Sequence, residues 1–364
     1  MLKVLQIGMT DNLGGIETFL INYYRSIDKK KINFDFVNIY DNPLYFEEEL
    51  KKGKSKIYKL NSYYRNPIKY TKELIKIIQD NNYEIVHCNM NSAVFLWPLI
   101  ASKIAGAKVI IAHSHNASSD KGFIKSILHW VNKHFIPLFA NNFFACSEKA
   151  GKWFYSKRII NSNKFYVMKN AIEINKYKFN QKIRIQKRKE LNISENTLLI
   201  GHVGRFNKQK NHEFLIDIFN EIQKKHKDSK LLLVGIGPLM ENIKSKVKEY
   251  NLENSVLFLG QRNDVQELMQ AMDIFLLPSL YEGLPLVGVE AQAAGLKCIF
   301  SDKITKEIKL LKGTEFLPLK KETWKKIDKY KQNVKRDNYN KSCNKYNIVN
   351  CAQEIYSKYM ELGS

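Results

Sequence analysis

LLIGHVGRFNKQKNHEFLIDIFNEIQKKHKDSKLLLVGIG, residues 198–237, runs from an apolar stretch through a basic turn into a helical pattern and back to a second apolar stretch. Strand, crossover helix and strand in that order form a right-handed βαβ unit with parallel strands. The alternation continues outward. Downstream lie PLMENIKSKVKEY, SVLFLG, DVQELMQAM, DIFLLPS and KCIFSD. Upstream, KVLQIGM, IETFLINYYRSI, FDFVNIY, KIYKL, PIKYTKELIKIIQ, EIVHCN, AVFLWPLIASKIAG and KVIIAHS repeat it. At 364 residues the chain exceeds the size at which one core stops growing. The expected fold is therefore α/β: two Rossmann-like, doubly wound parallel-sheet domains facing across a cleft. They are placed at 1–170 and 171–345, with a linker near 168–180 and a C-terminal helix, 346–364, returning to the first domain. Ligands in such sheets bind beyond the carboxyl ends of the strands.

Basic residues outnumber acidic ones 59 to 36, a formal charge of +23. That favours anionic partners. Only eight of the basic residues are Arg and Asn is abundant, so composition accounts for much of the excess. No helix-turn-helix, zinc-finger or RNP-like pattern occurs, and no nucleic-acid partner is expected. Five dispersed cysteines predict reduced thiols. The N-terminus lacks a signal-peptide pattern and no run reaches a membrane span, so a cytoplasmic protein is expected, with residence on a membrane surface left open.

The residues after each strand carry the chemistry. Gly14 and Gly15 follow the first strand, where glycine lets backbone N–H groups approach an anion at a helix N-terminus. Arg205 and Lys210 follow the strand of the opening stretch and suit a diphosphate, Arg by bidentate contact and Lys as a point charge. Gly235 and Gly237 make a glycine turn without the dinucleotide fingerprint, which disfavours a dehydrogenase. Arg262 is a neighbour for a base or phosphate, and Asn263 or Asp264 reads as a helix cap. In YEGLPLVGVEAQAAG (281–295), Pro285 is expected in the first helical turn and Gly295 at the C-terminus. Glu282 then precedes the helix and Glu290 lies within it. Two carboxylates around an amide-rich turn, Gly283, Leu284, Pro285 and Leu286, suit sugars on both sides of a diphosphate. A nucleotide sugar has that layout. The pair His113 and His115 in AHSHN is expected to project to opposite faces, leaving one of them toward a ligand.

EGLPLVGVEAQAAG, GRFNKQKNHEFLI and LLLVGIGPL resemble the family-4 retaining glycosyltransferases of the GT-B fold, and Glu282 and Glu290 match their Glu, seven residues, Glu motif. The sequence departs from many relatives at Leu284-Pro285-Leu286. GGIETFLINYYRSIDKKKINFDFV, AHSHN and VEAQAAGL are most similar to enzymes of bacterial exopolysaccharide and capsule assembly. The resemblance implies that Glu290 binds the nucleotide ribose and Glu282 the donor hexose. It implies that Arg205 and Lys210 stabilise the leaving diphosphate, that Gly14 and Gly15 face the sugar phosphate, and that a histidine sits beside the transferred sugar: His115 first, His113 second. No metal is expected, since no Asp-x-Asp motif occurs, and no cofactor beyond the donor, read as a UDP-sugar. The implied reaction is front-face retaining transfer to a growing, lipid-linked glycan. A UDP-sugar epimerase and a non-catalytic nucleotide-sugar-binding subunit are the alternatives. The segment 121–139, KGFIKSILHWVNKHFIPLF, mixes Lys121, Lys125 and Lys133 with apolar residues. It reads either as a helix on the inner face of an anionic membrane or as one packed on its own sheet.

Overall fold

Each of two parallel sheets builds its own core. The computed structural model describes residues 1–116, 122–325, 327, 336 and 341–363. One unit comprises Met1–Ala171 and Ile348–Ser364, the other Ile172–Asn347. In the first, β1 (Leu2–Ile7), β2 (Ile32–Asn38), β3 (Ile57–Lys59), β4 (Ile85–Met90), β5 (Val109–Ser114), β6 (Asn142–Ala145) and β7 (Phe165–Val167) order as β3-β2-β1-β4-β5-β6-β7. In the second, β8 (Leu198–Val203), β9 (Ser229–Val234), β10 (Val256–Phe258), β11 (Ile274–Leu277), β12 (Lys297–Ser301) and β13 (Glu315–Leu317) order as β10-β9-β8-β11-β12-β13. The strand order reverses between β1 and β4 and between β8 and β11. Loops leaving the carboxyl ends of those strands frame a site in each unit.

The apolar strands follow from burial on both faces. Leu5, Val86, Ile110 and Ala112 join one cluster. Val4, Ile85 and Ile111 join another, which includes Phe19 of the helix Gly15–Ser26 and Ile355 and Tyr359 of the C-terminal helix Ile348–Gly363. Helix boundaries obey local chemistry. Asn66 caps Pro67–Asp80, its Oδ1 accepting the Lys69 N–H at 3.0 Å, and Pro67 fills the first turn where no N–H is needed. All five cysteines are free and buried.

Two expectations are corrected here. Pro285 is the N-cap of the helix Leu286–Ala293, with ψ of 115°, so it precedes the first turn. Asp264 occupies the N-cap of Val265–Ala271 without a side-chain cap bond, because its carboxylate is drawn to Arg262 and Lys187. Of the segment 121–139, Lys121 lies outside the described residues; the rest contains the helices Phe123–Asn132 and Ile136–Phe139, joined by a turn at 133–135. The first exposes Phe123, Ile124, Ile127, Leu128, Trp130 and Val131, so its apolar side is not packed on the sheet. Among the described residues no helix is long and apolar enough to cross a membrane.

Candidate active site

In the second unit the site grows from the adjacency of β8 and β11. The turn after β8 is held tightly: Asn207 Oδ1 accepts the Lys210 N–H at 3.1 Å, and Asn211 takes a left-handed conformation with φ of 56°. The turn after β11 is tied to it. Leu280 N–H donates to the Gln209 carbonyl at 2.8 Å, Gln209 Nε2 to the Tyr281 carbonyl at 3.0 Å, and Asn211 Nδ2 to the Pro278 carbonyl at 3.3 Å. These bonds bring the predicted charges together. Lys210 Nζ lies 2.6 Å from Glu282 Oε1, and Gln209 Nε2 donates to Glu282 Oε2 at 3.1 Å. Glu282 is buried and Lys210 half-buried. Arg205, on the same turn, is exposed, and its guanidinium has no partner among the described residues.

The glycine turn after β9 serves this geometry. A Cβ on Gly235 would stand 2.2 Å from the Gly204 carbonyl oxygen, and one on Gly237 would strike the Phe206 backbone at 2.5 Å. Glycine lets the neighbouring turn pack against the segment bearing Arg205. Gly283, Leu284 and Pro285 are buried and Leu286 half-buried, leading into the helix that carries Glu290. Burial pushes the Glu290 carboxyl up to about 7, against a hydrogen bond from Tyr177 and the positive charge of Lys210. Arg262 is engaged by carboxylates. It pairs with both oxygens of Asp264 at 2.8 and 2.7 Å and reaches Glu190 at 3.4 Å, within a network shared with Lys187.

In the first unit Gly14 is the N-cap of Gly15–Ser26. The turn already holds a carboxyl group: Glu17, buried in the first turn, accepts the Thr10 N–H at 2.8 Å, and burial raises its carboxyl above the usual range. His113 and His115 lie on one face, their rings 4.0 Å apart and both against Phe19, contrary to the opposite-face expectation. The reason is the period of two: residues i and i+2 share a face of a strand. His115 keeps 9% of its surface and His113 none. Their partners form a polar circuit. Tyr359 OH meets His87 Nδ1 at 2.6 Å, and His87 Nε2 meets His113 Nδ1 at 2.9 Å. His115 Nε2 meets Asn89 Oδ1 at 2.9 Å, while Asn89 Nδ2 donates to Gln6 Oε1 at 3.0 Å and Gln6 Nε2 to Tyr359 OH at 3.4 Å. Burial pushes both His87 and His115 down to about 3, so these imidazoles are neutral near pH 7.

With both sites described, similarity to known proteins takes on meaning. The family model described as Glycosyltransferase Family 4 matches residues 13–176, and that described as Glycosyl transferases group 1 matches 183–342. Over 315 residues the chain is 33% identical to the glycosyltransferase-family protein EpsF of Bacillus subtilis (strain 168), covering 84% of this chain and 80% of the relative. This chain is a family-4 glycosyltransferase. It is 25% identical over 313 residues to an Escherichia coli UDP-Gal:alpha-D-GlcNAc-diphosphoundecaprenol alpha-1,3-galactosyltransferase, covering 83% of this chain and 79% of that enzyme. Anabaena HepE, solved in complex with UDP-glucose, superposes with a TM-score of 0.83 at 19% identity, covering 99% of this chain and 100% of that one. That likeness is one of fold, GT-B.

For this glycosyltransferase, sequence reading did not reach Gln209, Tyr177 or Glu17. Gln209 is flanked by basic residues that mask it, and Tyr177 stands in a polar stretch more than a hundred residues before Glu290. Glu17 did carry a signal, a carboxylate in the first turn after Gly14-Gly15.

Proposed function

We propose that this glycosyltransferase moves a sugar, with retention and without a metal ion, from a UDP-sugar to a lipid-linked glycan in exopolysaccharide or capsule synthesis. The observation that carries the reading is the Lys210–Glu282 pair beside Arg205, whose guanidinium has no partner among the described residues, at the strand-order reversal of the second unit. A diphosphate arriving there supplies an anion to Arg205 and a second, competing anion to Lys210. It draws Lys210 from Glu282, and the freed carboxylate accepts hydroxyls of the donor hexose. Glu290 accepts from the ribose. As the sugar–phosphate bond breaks, Arg205 and Lys210 meet the growing charge on the departing oxygen, the role a metal plays elsewhere. That oxygen takes the acceptor's proton, and neutral His115 is suited to hold a sugar hydroxyl by a hydrogen bond. The relatives named above support the UDP donor and the diphosphate-linked lipid acceptor. The apolar helix Phe123–Asn132, with Lys125 and nearby Lys133, supports residence on an anionic membrane face.

The test is a donor screen: purified protein with UDP-glucose, UDP-galactose, their N-acetylhexosamine counterparts and GDP-mannose, in EDTA, scoring nucleotide release and sugar conversion separately. Release of one nucleotide, lost in Arg205→Ala, is the expected result. Release only on adding divalent metal overturns metal independence, and conversion without release marks an epimerase.

A further inference from the structure

Each imidazole contact in the polar circuit of the first unit could carry its proton either way, yet the circuit as a whole has one direction. Its anchor is a backbone carbonyl. Asn89 Nδ2 donates to the Ile7 carbonyl at 3.1 Å, an oxygen that can only accept, and to Gln6 Oε1 at 3.0 Å. A flipped Asn89 amide would set its own oxygen against the Ile7 carbonyl, so Oδ1 is the atom that faces His115 Nε2 at 2.9 Å. An amide oxygen accepts, and His115 Nε2 therefore carries the ring proton. The ring is neutral near pH 7 because burial disfavours its charge, which leaves Nδ1 with a lone pair.

The second branch is directed too. Gln6 presents Oε1 to Asn89, which turns its Nε2 toward Tyr359, whose oxygen accepts at 3.4 Å. The Tyr359 proton is then available to His87 Nδ1 at 2.6 Å. His87 Nε2 donates in turn to His113 Nδ1 at 2.9 Å, and the last proton rests on His113 Nε2, a buried atom without a partner among the described residues. The reverse direction would strand the Tyr359 proton as well as the His113 nitrogen, and each buried polar group left unmatched costs stability.

The two branches converge on His115. Its ring lies against His113 on one side and edge-on to Phe19, with centroids 4.8 Å apart, on another, and its backbone N–H is pinned to the Met90 carbonyl at 3.1 Å. Of the six side chains in the circuit it is the most exposed. Its Nδ1 has no hydrogen-bond partner among the described residues. A fixed acceptor at the one open point of a buried network suits an incoming O–H. The opposite tautomer would offer a donor there instead, so the identity of the protonated nitrogen decides what the site can bind.

We propose that Asn89 is a positioning residue for the transfer: it locks His115 as the Nε2–H tautomer, so that Nδ1 accepts a hydrogen bond from a hydroxyl of the transferred sugar. Tyr359 directs the neighbouring branch, through His87 to His113. The assignment rests on the transferase reading above and adds to it the atom that meets the sugar and the residue that fixes it. The test uses the full chain labelled with nitrogen-15 histidine. Two-bond proton–nitrogen spectra at pH 7 tell protonated from bare ring nitrogens, and His115→Asn identifies the His115 signals. A neutral His115 with Nε2 protonated is expected. A proton on Nδ1, or an even mixture, overturns the assignment without recourse to any variant. Asn89→Leu should release His115 into a mixture of tautomers, whereas Tyr359→Phe should do so for His87 and His113 and leave His115 as it is. A His115 tautomer that survives Asn89→Leu removes Asn89 from the role. In the nucleotide-release assay, Asn89→Leu should lower kcat/KM for the sugar donor about tenfold, the worth of one hydrogen bond, while UDP titrated by calorimetry binds as it does to wild type. An equal loss for UDP would make Asn89 a merely structural residue and overturns the proposal. The two readings fail separately: nucleotide release with His115 protonated on Nδ1 sinks the tautomer assignment alone, whereas the expected spectrum with no release from any donor sinks the transferase reading.

Discussion

Replacing Glu290 by Gln is expected to strengthen the fold and weaken donor binding together. The carboxyl midpoint rises from the ordinary 4.5 to about 7 because burial disfavours the charge more than Tyr177 and Lys210 favour it. A carboxyl with a higher midpoint folded than unfolded takes up a proton on folding between those two pH values. Wild-type stability contributed by this group is therefore full below about pH 4.5, declines as pH rises to about 7, and stays at its lower value above. A shift of that size corresponds to up to about 3 kcal/mol. Gln keeps an acceptor for the Tyr177 hydroxyl and carries no charge to desolvate. By calorimetry, Glu290→Gln should melt close to wild type at pH 5 and roughly 6–12 °C higher at pH 8, for a unit of this size. Binding moves the other way. A charged acceptor for the ribose hydroxyls is worth about 1.5–3 kcal/mol, so uridine, which has no titrating phosphate, should bind wild type more tightly as pH rises from 6 to 8 and the variant about tenfold or more weakly at pH 8. A melting difference independent of pH, or a variant less stable than wild type at pH 8, refutes the reasoning.

Arg205→Ala should leave the melting temperature unchanged, since the side chain is exposed and has no partner among the described residues, while turnover falls about a hundredfold or more; a turnover loss under about threefold argues against a role at the leaving group. Lys210→Met leaves Glu282 with Gln209 alone, and a loss of about 1–3 kcal/mol in urea unfolding should accompany loss of transfer. Tyr359→Phe removes the hydroxyl between His87 and Gln6, for an expected loss of about 1–2 kcal/mol at neutral pH; an unchanged unfolding midpoint would mean that the circuit is not structural. Because burial holds His115 near 3, the pH–rate profile between 5 and 8 should carry no histidine limb: a limb that Glu290→Gln leaves in place and His115→Asn removes contradicts that environment.

Much of this protein is legible in one dimension. Strand and helix patterns are local, and burial on both faces makes each parallel strand a short apolar run that stands out from its polar neighbours. The basic turn after β8 and the two carboxylates seven residues apart are equally local, and they carry the family resemblance. The shared face of His113 and His115 was also within reach, since it follows from the strand period alone. What lies beyond one dimension is which turn meets which. Lys210 and Glu282 are remote in the chain and touch because β8 and β11 are neighbours in the sheet, a pairing the strand order creates and no spacing reveals. The same crossover logic brings Tyr359 from the chain's end to His87, and Tyr177 to Glu290. Amphipathic spacing established that 123–132 has an apolar side; only the packing of His129 inward decided that this side is left bare. Sequence by itself determined the elements and the types of charge available, because those depend on neighbouring residues. Tertiary structure decided the partners, the protonation of Glu290 and the exposed helix, because desolvation and contact depend on everything packed around a side chain.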